Sequence, residues 1–457
     1  MIYDYCIKKV IVMKKKTMNL TSGNVTKLLI SYSLPLIATS LLQSVYSIAD
    51  LLIAGHTVGS VGISAINNSS QVMNLVTKIA IGLSIGGNVL ISQYFGAGEK
   101  ENKNDSVRTL FTFCMLLGAL CSLVMWFCSR PLLILLKAPA LMEAVTYLQI
   151  CSIGFLFIWG YNALSAILRA MGDSRSPFVI IMISSVLNII LDTLFMAVLH
   201  MGVAGAALAT LISQISSFVL GLYFVLKNPD EYGLALNKLR PYKDKLIRII
   251  HLGIPCALQM TIAAISWLVV TYFINKYGTV VSAGNGISIK IKDVCQLITS
   301  AIATGTSTII AQNLGAGLYD RARNVLSQAL KIAVCTALVL MVFVELTAPY
   351  LAGFFTNDPD VLSAAVTNLR IEMIGQIFYA FFQTYHGMMT GAGHTMMVMS
   401  SSFVNCILVR VILVIILERF MGLNGVYLAC MIAPSASVPI GMLYVKSGVW
   451  KRTYIKE

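Results

Sequence analysis

Twelve apolar runs, each cut off by glycine, proline or charge, recur along the chain near residues 28–54, 66–94, 108–129, 142–168, 177–199, 203–226, 248–274, 282–312, 325–347, 365–389, 397–417 and 423–445. A run of about 20 residues, wound as a helix, crosses a hydrocarbon layer about 30 Å thick. Lipid offers backbone polar groups no partner, so the helix is the element that such runs must form. The pattern predicts an all-α integral membrane protein of twelve transmembrane helices.

The runs divide into two sets of six. Leu34-Pro35-Leu36-Ile37 returns as Ile254-Pro255-Cys256-Ala257, 220 positions later. Ser92-Gln93-Tyr94-Phe95-Gly96-Ala97-Gly98 returns as Ala311-Gln312-Asn313-Leu314-Gly315-Ala316-Gly317, and Met201-Gly202-Val203-Ala204-Gly205 as Met421-Gly422-Leu423-Asn424-Gly425. Self-similarity in step over such a distance marks an internal repeat. Because six is even, both halves enter from the same side, giving two six-helix lobes related by a parallel pseudo-two-fold axis. The expected organisation is a cytoplasmic leader over 1–26, an N-lobe of helices one to six over 27–226, a basic cytoplasmic linker over 227–247, a C-lobe of helices seven to twelve over 248–446, and a cytoplasmic tail over 447–457.

Composition agrees with a bilayer as solvent: 57% of residues are hydrophobic and 11% charged, against about a quarter charged in a soluble domain. A net charge of +14 would suit a nucleic-acid binder. The basic residues lie instead between the apolar runs, so no nucleic-acid partner is expected. With a cytoplasmic N-terminus, about 23 Lys and Arg fall inside and about 4 outside, which places both termini in the cytoplasm of a multi-pass inner-membrane protein. Lys8, Lys9, Lys14, Lys15 and Lys16 precede no long apolar core, so the leader does not read as a cleavable signal peptide, and Met13 and Met18 stand beside Met1 as possible starts.

Several chemistries drop out. The ten cysteines include no C-x-x-C pair, and Cys114, Cys121 and Cys128 recur on one helix face as small packing residues. Gly96-Ala97-Gly98 and Gly315-Ala316-Gly317 read as helix ends at positive φ. No nucleotide-binding glycine-lysine loop follows them, so an ATP-driven pump is not expected. Nor is there an H-E-x-x-H or G-x-S-x-G; the chain reads as a transporter without cofactor, not as an enzyme.

An ionisable group within a span costs about 2.5–3.5 kcal/mol on insertion scales, which makes it a functional candidate. Asp192 lies deep in span five with Asn188 one turn before it. Asp50 sits in span one with Gln43 and Ser47 at helical spacing, and Thr210 and Ala206 lie in span six, where small residues let backbones approach. The second half holds Lys290, Lys292 and Asp293 in span eight, Glu345 in span nine, Glu372 and His386 in span ten and Arg410 in span eleven. Of these Lys290, Asp293, Glu372, His386 and Arg410, together with Gln43, are candidates for a substrate cavity, and Lys290 and Asp293 could neutralise one another.

Taken in order, Leu20-Thr21-Ser22-Gly23, Lys27, Leu34-Pro35, the paired Gln-x-x-Gly-Ala-Gly loops, Leu168-Arg169-Ala170-Met171-Gly172-Asp173 and Asn188-x-x-x-Asp192 resemble the multidrug and toxic compound extrusion (MATE) family over residues 20 to about 446, more its DinF-like branch than its NorM branch. The resemblance implies a two-lobed fold and export of small organic, amphipathic or cationic compounds in exchange for H+ or Na+. It maps Asp50, Asn188, Asp192 and Thr210, with Ala206 as a carbonyl contributor, onto a cation-coupling site, which would be the place for Na+. Two carboxylates in a low-dielectric pocket favour uptake of a proton or a cation, and hard oxygen donors suit sodium. The repeat supplies an internal control, since the corresponding C-lobe positions are Val270, Val409, Leu413 and Cys430. Ala263 and Tyr379 stand where NorM-like proteins carry C-lobe acids, which speaks against a second cation site. A monomer in the bilayer is expected. The alternative is a flippase of the same superfamily for lipid-linked precursors or polysaccharide, which would line its cavity with several bases.

Overall fold

The computed structural model describes residues 18–135, 138, 140–453 and 455, apart from the side chains of Leu51 and Ser60. The leader lysines and Met13 of the sequence reading, and the terminal Glu457, lie outside the described residues.

The N-terminal half comprises α1 (Val25–Thr57), α2 (Gly59–Ala97), α3 (Lys100–Leu135), α4 (Leu141–Ile153), α5 (Phe155–Ala170), α6 (Arg175–Val198) and α7 (Gly202–Leu226). The C-terminal half repeats them as α8 (Lys243–Asn275), α9 (Thr279–Gly315), α10 (Tyr319–Gly353), α11 (Pro359–Ile374), α12 (Gln376–Ala392), α13 (Thr395–Met421) and α14 (Leu423–Ser447). Ten of these helices are singly long and apolar enough to cross a membrane, and α4 with α5 forms an eleventh span bent by 45°. The pair α11 and α12, broken at Gly375, completes the twelve. Large apolar side chains such as Leu123, Phe127, Leu346 and Tyr350 stay exposed, as expected where the outer face meets hydrocarbon rather than water.

The two broken spans have one physical cause. A Cβ on Gly154 would lie 1.8 Å from the Gln214 side chain on α7, and one on Gly375 would lie 2.7 Å from the Met431 carbonyl on α14. Each glycine admits a neighbouring helix to the point where the chain bends.

The lobes meet through α1, α2, α8 and α9, with α2 packed on α8, α1 on α9, and α2 on α9 between them. At one end of this seam the Gly-Ala-Gly loops do two jobs, where the sequence suggested one. Gly98 and Gly317 do end their helices, each at φ 75°. Gly96 and Gly315 are contact points instead: a Cβ on Gly96 would lie 1.9 Å from the Gln312 carbonyl oxygen, and one on Gly315 2.0 Å from that of Gln93. The adjacent glutamines reach across as well. Gln93 Nε2 donates to the Gly391 carbonyl (3.0 Å) and Gln312 Nε2 to that of Ala170 (2.7 Å). At the same end Asn313 Nδ2 donates to the Leu20 carbonyl (3.0 Å), and Lys103 Nζ donates to the Glu231 carbonyl in the linker (2.7 Å). Asp173 accepts from the Ser176 amide (2.9 Å), starting α6, and from the linker Tyr232 hydroxyl (3.2 Å).

Among the described residues the cysteines are all free. Cys114, Cys121 and Cys128 do not share one environment: they grade from buried to half-buried to exposed along α3.

Candidate functional site

Each lobe encloses a cavity, and the two have opposite chemistry. The N-lobe cavity, about 390 Å³, has Gln43, Asp50, Asn74, Asn188 and Thr210 among its walls. Helix α1 brings Gln43 and Asp50, α6 brings Asn188 and α7 brings Thr210; α1 and α7 both pack on α6. Asp192 is off the wall, one turn deeper and 0% exposed, with its carboxyl turned towards that of Asp50. Immediately beyond it α6 runs as a π helix over Thr193–Val198, a widening that re-aims neighbouring side chains and recurs at functional sites. Tyr46 and Tyr147 approach the Thr210 hydroxyl. Ala206 is buried and off the cavity wall.

The decisive feature is what these groups lack. Both carboxylate oxygens of Asp192, and both the amide nitrogen and oxygen of Asn188, are buried without a hydrogen-bond partner. Orphaned buried polar atoms are rare and costly, about 1–3 kcal/mol each and more when charged. Four such atoms sit on two side chains, one amide and one acid, that face a second acid, Asp50, an arrangement whose oxygens could hold a small cation or a proton. The repeat gives the contrast: of the C-lobe counterparts, Val270 and Cys430 lie in an apolar cluster with Leu413 against it, and Val409 is half-buried outside that cluster.

The C-lobe cavity is larger, about 450 Å³, and carries Glu372, His386 and Arg410 on its walls, with Trp267, Lys292, Tyr379 and Phe382. It reaches the N-lobe at Asn88 and Arg169. Lys290 and Asp293 are near enough for their charges to interact but form no contact ion pair; both side chains are exposed and neither lies on the wall of these two cavities. One residue matters for the difference: on α9 the inward face carries Lys292, which is ion-paired with Glu372 of α11. Lys292 Nζ lies 4.4 Å from the centre of the Trp267 ring, and the Arg410 guanidinium carbon 4.9 Å. Tyr379, which replaces an acid expected by resemblance, shares hydrogen bonds with Ser300 (3.1 Å) and Gln383 (2.7 Å). Glu345 sits apart, 3.9 Å from Arg370. Gln43 belongs to the N-lobe cavity, so the six substrate candidates divide into one N-lobe residue, three on the C-lobe wall and two on neither.

Trp267 and Lys292 went unweighted as a pair in the sequence. The repeat register contains the signal: Trp267 is the counterpart of Ser47, one turn before the Asp50 counterpart Val270, so its face was predictable once the lobes were aligned. Among the described residues no cluster of three or more His, Cys, Asp or Glu could hold a metal ion.

Both halves match one family description. The MatE family model covers residues 35–194 and 255–416. The probable multidrug resistance protein YpnP of Bacillus subtilis strain 168 is 29% identical over 438 residues, 95% of this chain and 98% of its own. The multidrug export protein MepA of Staphylococcus saprophyticus is 27% identical over 440 residues, 93% of this chain and 94% of its own. Among solved structures, an outward-facing multidrug resistance MATE family transporter of the MOP superfamily superposes with a TM-score of 0.90 at 23% identity, over 96% of this chain and 100% of that one. A MOP superfamily transporter from Pyrococcus furiosus Vc1, described as having a binding pocket of reverse polarity, gives 0.89 at 23% identity over the same shares. These structures share the fold.

Proposed function

The chain belongs to the MatE family, the multidrug and toxic compound extrusion transporters, and from that premise we propose that it exports small amphipathic organic compounds across the cytoplasmic membrane by alternating access, driven by inward movement of H+ or Na+. The relatives named for multidrug resistance and multidrug export support the substrate class. The observation that carries the coupling is the orphaned Asn188 and Asp192 pair beside Asp50, present in one lobe and replaced by apolar residues in the other.

The chemistry follows from charge. Two carboxylates facing each other in low dielectric repel when both are ionised, so the ligand-free site favours taking up one positive charge. A proton bridging Asp50 and Asp192 relieves the repulsion. Sodium does the same, drawing further oxygens from Asn188 and Thr210, all hard donors of the kind small cations prefer. Occupation of the site removes the field that holds α1, α6 and α7 in their ion-free packing. A ligand shifts the balance between two lobe arrangements only by binding them differently, and these three helices include α1, which also forms the seam. Coupling of the N-lobe ion to the C-lobe cavity then runs through that seam.

With both termini in the cytoplasm, the paired contacts of Gly96 on Gln312 and Gly315 on Gln93 close the cytoplasmic end, and the chain works as a monomer surrounded by lipid. The second reading, a flippase for lipid-linked precursors, draws support from Arg169, Lys292 and Arg410 on the cavity wall.

The test is transport of a fluorescent amphiphile in proteoliposomes, with proton and sodium gradients imposed separately. Asp192→Asn and Asp50→Asn abolish gradient-driven transport while the protein is still made and inserted, whereas Val409→Ile and Leu413→Met leave the ion dependence unchanged. Ion-stimulated transport that persists in the Asp50→Asn, Asp192→Asn double variant would place the coupling ion elsewhere.

A further inference from the structure

The C-lobe cavity has more buried positive charge than its own acids can balance. Arg410 is 7% exposed, and a guanidinium stays protonated wherever it is placed. Of its five N–H donors, one reaches the Ser266 hydroxyl at 3.4 Å and Nε has no partner. Among the described residues no carboxylate lies within ion-pair distance of it. Glu372, the acid on the same wall, is engaged by Lys292. Arg169 adds a third cation at the edge of the cavity. A buried charge without a counter-charge costs several kcal/mol, and an arginine fork matches a carboxylate in two parallel hydrogen bonds.

The rest of the wall describes the body attached to that anion. Trp267, Tyr379, Phe382 and His386 supply ring surface, and about 450 Å³ suits a molecule of a few fused rings. Other buried polar atoms also await partners: Asn405 Oδ1, Ser402 Oγ and His386 Nδ1, all within residues of the cavity wall. The feature belongs to one lobe only, because Ile189 stands at the Arg410 position and Ser47 at the Trp267 position of the N-lobe.

We propose that the C-lobe cavity, with Arg410 as anchor and Trp267 as stacking wall, binds the carboxylate of an aromatic amphiphile. The inference rests on the reading that this cavity holds the exported compound, and it assigns the two lobes opposite electrostatic roles: acids for the coupling cation, bases for the substrate head. Lys292 is held by Glu372 and serves as a second, reserve cation.

The experiment is equilibrium binding to the full chain in lipid nanodiscs, without any ion gradient, so its outcome does not depend on coupling. Three probes share one body: 1-pyrenebutyrate, its methyl ester, and 1-pyrenemethylammonium. The carboxylate is expected to bind at least about 10-fold more tightly than the ester, and the ammonium most weakly. Arg410→Gln weakens the carboxylate by about 30-fold and the ester by less than about two-fold, Arg410→Lys restores part of the loss, and Lys290→Gln, which removes an exposed charge off both cavity walls, leaves all three unchanged. Equal binding of carboxylate and ester by the unaltered protein overturns the proposal, and that comparison stands even if Arg410→Gln fails to fold. So does a pyrenyl alkyl phosphate that binds more than about 10-fold more tightly than the carboxylate, which reassigns the cavity to a phosphate headgroup. If the binding pattern holds while Asp192→Asn transports normally, the coupling reading alone fails.

Discussion

Replacing Gly96 with alanine tests the seam directly. Real Cβ atoms do not come within 3.0 Å of another heavy atom, and here the Cβ would sit 1.9 Å from the Gln312 carbonyl oxygen, so the backbones must separate by about 1 Å. The obstacle is main chain on both sides, which no rotamer change relieves. Overpacking of this kind costs about 1–3 kcal/mol, or about 5- to 150-fold in the balance between a closed and a parted seam. Gly315→Ala acts on the symmetry-related contact, with the Gln93 oxygen 2.0 Å away. Because one parting relieves both clashes, the double variant should cost little more than the costlier single one. Pulsed electron spin resonance between labels on Glu101→Cys and Arg323→Cys, exposed positions at the ends of α3 and α10, reads the separation, with Cys6, Cys128 and Cys335 replaced by serine. The long-distance population is expected to rise in each single variant by the factor above. An unchanged distance distribution, or a double effect equal to the full sum, refutes the idea that the two glycines share one closing event.

Two further expectations follow from the ion pair and the charge pattern. Lys292→Met should destabilise the protein by about 3–5 kcal/mol in dodecyl sulfate unfolding because it strands Glu372, whereas Lys292→Met with Glu372→Gln should come within about 1 kcal/mol of the original; equal losses would show that Lys292 acts by packing alone. Reporters fused after Glu457 and inserted within Asp230 to Arg240 should both be cytoplasmic, and labelling of either from outside would reverse the assigned orientation.

The spans were legible in the sequence because a bilayer enforces one rule at each residue of a helix, and the apolar runs agree with the observed helices to within a few residues at most ends, the exceptions being chiefly the early starts of α2, α3, α10 and α11. The repeat was legible because both copies kept the same turn and contact residues. What the pattern could not show was where a helix breaks or which of two adjacent charged residues faces inward. Gly154 and Gly375 look like ordinary membrane-helix glycines until their neighbours on α7 and α14 are in place. Lys290 and Lys292 differ by about 200° around the helix axis, yet the face was set by a partner, Glu372, 80 residues away. Asp50, Asn188 and Thr210 converge because α1 and α7 both pack on α6, a contact that follows from the fold and not from spacing along the chain.

The reciprocal pattern of the seam bears on how such a chain can arise. Gln93 bonds to Gly391 as Gln312 bonds to Ala170, and each Gly-Ala-Gly loop opposes the glutamine of the other. That is the geometry of a two-fold homodimer, in which one patch meets a copy of itself. A half-length ancestor with a single glutamine and a single glycine would already possess the whole interface, and a change in its gene would be expressed twice. Joining two such copies through a linker would release them from that constraint. One could then accumulate Asp50 and Asp192, and the other Lys292 and Arg410, while the shared surface between them stayed as it was.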